Sequence, residues 1–397
     1  MNPTFYCISL NKSFDLHNRI FQLPNYYLGK PLLDVAFVIT ELEPGGAERC
    51  LVKLALGLAQ RGHCVSVISI APEPNNERQE LVLNLRANGV EPTFLNVKNY
   101  WDFFRAKRTL SAVLKEISPD IVQSFLFHAN ILCGKISKRF DFKLVAGLRV
   151  SDPRRLRQWM MRFQRSMFQR SVCVSGDVSS YAQRKLGFPQ ETLKVIPNGI
   201  DLDSFSKIAP PTARDLDFDT IPPLLTFVGR LHVQKGVDLL VDNAQSILQA
   251  CPEHHIAIVG DGPCKQDMQR RIRTSGLEHR VHFYGYRPDA VGILKASQLL
   301  LFPSRWEGMP NVVIEAMAAK KPIVACPADG VRSLLSHEPR QIVEPSAWPA
   351  AVIEFALDPN ACADIGAANF EVVSESYKLR QMIKQYEALY QQLLNIS

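Results

Sequence analysis

Short apolar runs, each too brief for a helix, alternate with helix-like stretches along most of this chain, and the alternation stops and starts again once. Val35–Ile39, Val65–Ile68, Phe94–Val97, Ile121–Phe125, Leu144–Leu148 and Val172–Ser175 form the first series, which closes with residues 194–199. Leu225–Gly229, His255–Gly260, Val281–Tyr284, Leu299–Phe302 and Ile323–Ala325 form the second. Between them lie helical spacings such as Leu51, Leu54, Ala55 and Leu58, and helices expected near 103–117, 236–249 and 264–274. Continuous apolar strands separated by helices are the pattern of parallel sheets covered on both faces. A chain of this type folds as α/β, and 397 residues are too many for one ordinary core. The expectation is two Rossmann-like, doubly wound α/β domains facing each other across a cleft. Residues 202–223, rich in Pro, Asp and Ala and without hydrophobic period, separate them. The boundaries are residues 1–32 as an N-terminal extension, 33–201, 202–223 as linker, 224–373, and 374–397 as a last helix returning to the first domain.

Composition narrows the class. Hydrophobic residues make up 46% and charged residues 21%, as in ordinary globular proteins. Nine scattered cysteines without a Cys-x-x-Cys pair argue for reduced thiols and a cytoplasmic setting, and against a disulfide framework or zinc site. No apolar run reaches the roughly 20 residues of a membrane span. Lys12, Asp15, His17, Arg19 and Lys30 interrupt the apolar clusters of a would-be leader. Residues 1–200 carry 27 Lys and Arg against 16 Asp and Glu, whereas residues 201–397 carry 19 against 23. The basic half should therefore meet something anionic.

Ligands of doubly wound sheets bind at the carboxyl ends of strands, so the loops there are where chemistry is sought. Phe302 to Ala318 runs strand, glycine loop (Glu307-Gly308), helix, with Pro310 suited to a first helical position. The amides of Asn311, Val312 and Val313 would point out of that helix N-terminus, a setting for phosphate. Glu315 sits within Val312-Val313-Ile314-Glu315-Ala316-Met317, where a carboxylate needs donors such as sugar or ribose hydroxyls, or a basic neighbour on the helix. Gly229-Arg230 with Lys235-Gly236 repeats the strand, turn, helix logic with two cations, a guanidinium fork and a compact ammonium, both of which phosphate uses. Asp261-Gly262-Pro263 and Gly285-Tyr286-Arg287-Pro288 are further turns on the same side.

In the first half, Gly45-Gly46-Ala47-Glu48 is a strand-to-helix turn that either lets backbone approach a ligand or serves turn geometry alone, and it lacks the Gly-x-Gly-x-x-Gly dinucleotide fingerprint. His128 and Arg149 follow the next strands, and His128 is either functional or a satisfied structural histidine. Residues 154–170 hold six arginines and no acid, with Leu156, Trp159, Met160, Phe163 and Met167 at helical spacing. This basic amphipathic helix either buries its apolar stripe on the sheet or lies on an anionic membrane surface.

Together, Gly45-Gly46-Ala47-Glu48, Pro197-Asn198-Gly199-Ile200-Asp201, Gly229-Arg230 with Lys235-Gly236, Gly260-Asp261-Gly262-Pro263 and Glu307-Gly308-Met309-Pro310-Asn311 through Glu315-Ala316 resemble the family 4 retaining glycosyltransferases of the GT-B fold. The likeness runs from about residue 33 to 395. It implies a nucleoside-diphosphate sugar donor, UDP- or GDP-linked, held by the second domain, with the first on the acceptor side. Arg230 and Lys235 would hold the diphosphate, Glu307 the sugar hydroxyls, Glu315 the ribose, and Gly46 would lie beside the phosphates. His128 would touch the sugar near the reacting carbon. Gly308, Met309, Pro310, Asn311, Val312, Gly262, Tyr286 and Arg149 would complete donor binding. The resemblance implies no cofactor and no metal, a glycan or lipid-linked acceptor, hexosyl or N-acetylhexosaminyl transfer in cell-surface polysaccharide synthesis, and a place in the cytoplasm or at the inner membrane face.

Other functions remain to be separated. A metal-dependent transferase would use an Asp-x-Asp pair, for which Asp201-Leu202-Asp203, Asp215-Leu216-Asp217 and Asp217-Phe218-Asp219 are available. A sugar phosphorylase or nucleotide-sugar epimerase could use the same fold. A non-catalytic basic protein binding nucleic acid would be expected to show zinc-finger spacing or RNA-binding aromatics, and neither is present.

Overall fold

The computed structural model describes residues 26–27, 30–97 and 102–396. Most of the expected extension 1–32 lies outside them; within it β1 (Tyr26–Tyr27) pairs antiparallel with β2 (Lys30–Pro31). The chain divides into two units, residues 1–174, 179–196 and 380–397 in one, 175–178 and 197–379 in the other.

The first unit is organised on β3 (Asp34–Ile39), which is buried over all but its first residue and is paired in parallel on both sides. Its partners are β4 (Cys64–Ser69) and, across a crossover, β6 (Ile121–Phe125). With β5 (Thr93–Phe94), β7 (Lys143–Leu148), β8 (Arg170–Cys173) and β9 (Leu193–Val195) the order is β5-β4-β3-β6-β7-β8-β9, wholly parallel. Strand order reverses between β3 and β6, so the loops leaving those two strands flank the switch point where such sheets bind ligands. The crossovers carry α1 (Gly46–Ala59), α2 (Glu80–Ala87), α3 (Phe103–Ile117), α4 (Leu126–Ile136), α5 (Arg155–Gln164) and α6 (Gly176–Leu186). The strand expected over Phe94–Val97 is cut to Thr93–Phe94, because Asn96 takes φ 57 and leaves extended geometry.

The second unit repeats the scheme. β10 (Leu224–Val228), β11 (His255–Val259), β12 (Val281–Gly285), β13 (Leu299–Phe302) and β14 (Ile323–Ala325) are parallel in the order β12-β11-β10-β13-β14. Here the order reverses between β10 and β13. Around them are α7 (Leu202–Ser206), α8 (Val237–Ala250), α9 (Lys265–Thr274), α10 (Ala290–Ala296), α11 (Asn311–Ala318), α12 (Val331–Leu334), α13 (Trp348–Leu357) and α14 (Pro359–Ser376). Trp348 is wholly buried, and its indole donates to the Val324 carbonyl at 2.9 Å.

Residues 202–223 are folded onto this unit. The Asp201 carboxylate caps α7 by accepting from the amides of Asp203 and Ser204. Lys295 Nζ donates to the carbonyls of Phe205 and Ile208 at 2.6 and 2.7 Å, and Leu216 joins a small core with Leu224, Ala257, Val259 and Ile293. The stretch looked structureless because its contacts are single residues, without a repeating period.

The chain ends in α15 (Leu379–Leu393), whose residues from Arg380 on belong to the first unit. Glu387 bridges Arg61 at 2.6 Å and His63 at 3.0 Å, and Tyr390 donates to the Gln123 side chain at 3.1 Å. Ile383 packs on Gly57 so closely that a Cβ there would lie 2.2 Å from its Cδ1.

Candidate active site

In the second unit the loops after β10 and β13 are tied together along their length. Gly236, at φ 65, ends a 3-10 turn over Val233–Lys235, and any Cβ on it would meet the Pro303 carbonyl oxygen at 1.8 Å. Arg305 donates to the Val233 carbonyl at 2.6 Å and to both Asp238 carboxylate oxygens, at 2.7 and 2.5 Å. The Gln234 amide donates to the Trp306 carbonyl at 2.9 Å, and Lys235 Nζ pairs with Glu307 at 2.6 Å. A planar bidentate guanidinium holds geometry better than a point charge, so Arg305 sets the spacing of the two loops. Arg230, by contrast, is exposed and enters no ion pair among the described residues. One cation is thus anchored to the loop, and the other is exposed to solvent.

Glu307 is only 6% exposed, whereas Glu315 is half-buried. This corrects the expectation of a carboxylate sunk in the apolar face of the helix: the buried acid is the one before α11, and Lys235 compensates it. Pro310 is the residue that caps α11 rather than its first helical position, and the Val313 amide is taken by the Pro310 carbonyl at 3.2 Å. The donors expected at this N-terminus therefore reduce to Asn311 and Val312. Asn198, buried, fixes the same end by donating to the Met309 carbonyl at 3.1 Å and to Asn311 Oδ1 at 2.7 Å.

Gly262 faces the first of these loops: a Cβ would lie 2.4 Å from the Leu231 carbonyl oxygen, and the Leu231 amide donates to the Asp261 carbonyl at 2.9 Å. Tyr286 follows β12, next to Arg287, which is paired with Asp289 at 2.7 Å. Arg230, Lys235, Gly262, Tyr286, Glu307, Gly308, Met309, Pro310, Asn311 and Val312 lie on loops, or at the start of a helix, beyond the carboxyl ends of this unit's strands, and Glu315 lies in the second turn of α11.

The first unit holds the other three. Gly46 opens α1 after β3, His128 lies in the first turn of α4 after β6, and Arg149 follows β7. Leu126, at the β6–α4 junction, has φ 71, a strained conformation for a bulky side chain at the switch point. His128 titrates below its ordinary value, because it is desolvated and the charges of Arg157 and Arg154 oppose its own. The Arg149 guanidinium lies 5.3 Å from the Phe125 ring centroid, and its charge opposes the rise that burial gives the Tyr386 phenol.

The sequence reading gave no role to Glu48. Its carboxylate folds back over Gly45, where a Cβ would come within 2.3 Å of it, and it is buried. Desolvation pushes its pKa up to about 7, with Glu41 adding to the rise and backbone amides and Arg149 opposing it. The available clue was Gly45, whose missing side chain leaves room for that carboxylate. Arg305, Gln234 and Asn198 were passed over as well, since their partners lie about 70 residues away or more.

Two doubly wound parallel units, with phosphate-suited cations at the switch point of the second, have the architecture of the GT-B fold. The chain belongs to the group 1, family 4 glycosyltransferases: the sequence models described as Glycosyltransferase Family 4 and Glycosyl transferases group 1 match residues 44–204 and 222–358. An Escherichia coli UDP-Gal:alpha-D-GlcNAc-diphosphoundecaprenol alpha-1,3-galactosyltransferase is 28% identical over 246 residues, covering 58% of this chain and 63% of that protein. The lipopolysaccharide core biosynthesis glycosyltransferase LpsD of Rhizobium meliloti is 27% identical over 299 residues, 74% of this chain and 78% of that one. Among solved structures, Anabaena HepE in complex with UDP and glucose has a TM-score of 0.77 at 20% identity, covering 91% of this chain and 100% of HepE.

Proposed function

We propose that this glycosyltransferase moves a hexosyl or N-acetylhexosaminyl unit from a UDP- or GDP-sugar to a glycan or lipid-linked acceptor in cell-surface polysaccharide synthesis, with retention of configuration and without a metal ion. The observation that carries the reading is the pair of loops after β10 and β13, tied together by Arg305, Gln234 and the Lys235–Glu307 pair. In the reaction an acceptor oxygen bonds to the anomeric carbon while the bond from that carbon to phosphate breaks. The electron pair goes to the diphosphate, and the acceptor's proton goes to a leaving phosphate oxygen. The enzyme's work is to place the donor and to stabilise charge growing on the diphosphate, the task assigned to Arg230, Lys235 and the start of α11. Glu307 is assigned to sugar hydroxyls, Glu315 to the ribose, and His128 to the sugar near the reacting carbon.

The names of the relatives support the donor and acceptor classes, since the E. coli protein is named for a UDP-sugar and a diphosphoundecaprenol acceptor. Metal independence is supported by the engagement of one carboxylate in each of the first two Asp-x-Asp pairs: Asp201 caps α7, and Asp215 accepts from the Thr212 amide and hydroxyl at 2.8 and 2.7 Å. Among the described residues no helix is long and apolar enough to cross a membrane. The test measures nucleoside diphosphate release from UDP- and GDP-sugars, with and without acceptor and EDTA. Acceptor-dependent release that survives EDTA supports the proposal. Release with phosphate alone, as by a phosphorylase, or loss in EDTA would refute it.

A further inference from the structure

Leu156, Trp159 and Phe163 recur at spacings of three and four and so share one stripe of α5, yet that stripe faces solvent, at 69, 57 and 66% exposure. Of the two readings left open for this stripe, burial on the sheet does not hold for these three residues, while Met160 and Met167 are half-buried. Met161 and Gln164 carry the buried side of α5, and the helix stops at Gln164, with a 3-10 turn and then β8 taking up the rest of the basic segment. Trp159 and Phe163 meet edge to face, with centroids 4.5 Å apart, and form one apolar ridge.

A second apolar point stands on the same helical layer. α4 lies between α3 and α5 and touches both, and Phe104 in the first turn of α3 is 83% exposed. Phe104, Trp159 and Phe163 are the exposed phenylalanine and tryptophan side chains among the described residues. Around them positive charge predominates, the nearby acids being Asp152, which pairs with Arg154 and Arg157, and Asp102 just before α3. Arg155, Arg162 and Arg165 on and just after α5, and Arg105 and Arg108 on α3, are all exposed. The segment from Arg154 to Arg170 has no acid, and α3 has only Glu116 near its far end.

We propose that this face of the first unit, α5 with the start of α3, docks on an anionic lipid bilayer. Exposed aromatics seat at the depth of headgroups, and an excess of cations is drawn to a negative surface. A complementary protein would be met by paired charges, and a polyanion such as RNA would need the cations but not the apolar ridge. Attachment requires both, and that requirement is the test.

The full-length protein is sedimented with vesicles of phosphatidylcholine alone and of phosphatidylcholine mixed with phosphatidylglycerol, at low and high salt. Wild type should sediment with the mixed vesicles at low salt and largely escape at high salt. Arg155→Glu/Arg162→Glu/Arg165→Glu should lower partitioning by about tenfold or more. Trp159→Ala/Phe163→Ala should lower it comparably with the charge unchanged. These are surface changes, so melting temperature and protection by nucleotide sugar should stay at wild-type values, which separates this test from that of the transferase reaction. The proposal is overturned by wild type that does not sediment, or by either variant sedimenting as wild type does. It is equally overturned if the ridge variant alters only self-association in size-exclusion chromatography, or the charge variant alters only RNA binding.

Discussion

Lys235 and Glu307, 72 residues apart in the chain, meet at 2.6 Å across the loops that leave β10 and β13. The pair serves the fold as well as the chemistry, because the carboxylate is buried and the ammonium is its compensating charge. Lys235→Ala should therefore act twice. Turnover should fall by about two orders of magnitude or more. Stability should fall by about 3 kcal/mol, the cost of leaving a buried carboxylate without its partner. Lys235→Ala/Glu307→Gln should recover most of the stability and none of the turnover, as read by thermal melts beside the assay. Arg230→Ala, at an exposed residue, should lose turnover alone.

Glu315 is half-buried at the surface of α11, so its neutral isostere should fold normally. Glu315→Gln should weaken nucleotide binding, since an amide is the poorer acceptor for ribose hydroxyls. Titration calorimetry with UDP and GDP reads this directly, and unchanged affinity for both would remove the ribose role.

His128→Ala should cost turnover while leaving nucleoside diphosphate affinity intact, since the side chain is assigned to the sugar. The depressed pKa of His128 adds a sign. Burial favours the neutral ring, so its contribution to stability is present above the ordinary histidine value and is lost as pH falls through the lower folded value. The stability gap between wild type and His128→Ala should narrow as the solution is acidified below pH about 6.5.

Glu48 carries the opposite sign. Its folded pKa of about 7 lies above the ordinary glutamate value of 4.5, so the protonated acid is the form the fold prefers. That contribution is fully present below the unfolded value and disappears as pH rises through about 7. Glu48→Gln, which cannot ionise, should therefore gain on wild type between pH 5 and 8, by on the order of 3 kcal/mol at the alkaline end. Chemical denaturation at several pH values measures it, and a gap that does not change with pH would show that Glu48 does not titrate there.

The order of β-rich runs and helical spacings determined by itself that the chain winds two parallel sheets. The glycine turns after Val228 and Phe302 marked the loops at the switch point of the second sheet. Those features are local: strand propensity, helix spacing and the conformational needs of a turn are written within a few residues of each other. Tertiary structure alone decided which carboxylate was buried, Glu307 and Glu48 rather than Glu315. It decided that Arg305 reaches Asp238, that residues 202–223 lie folded on the second unit, and that Trp159 and Phe163 face outward. A period of 3.6 reveals that a helix has an apolar stripe, but not what covers the stripe. Burial and ion pairing depend on neighbours brought from distant parts of the chain, and no spacing within one element records them.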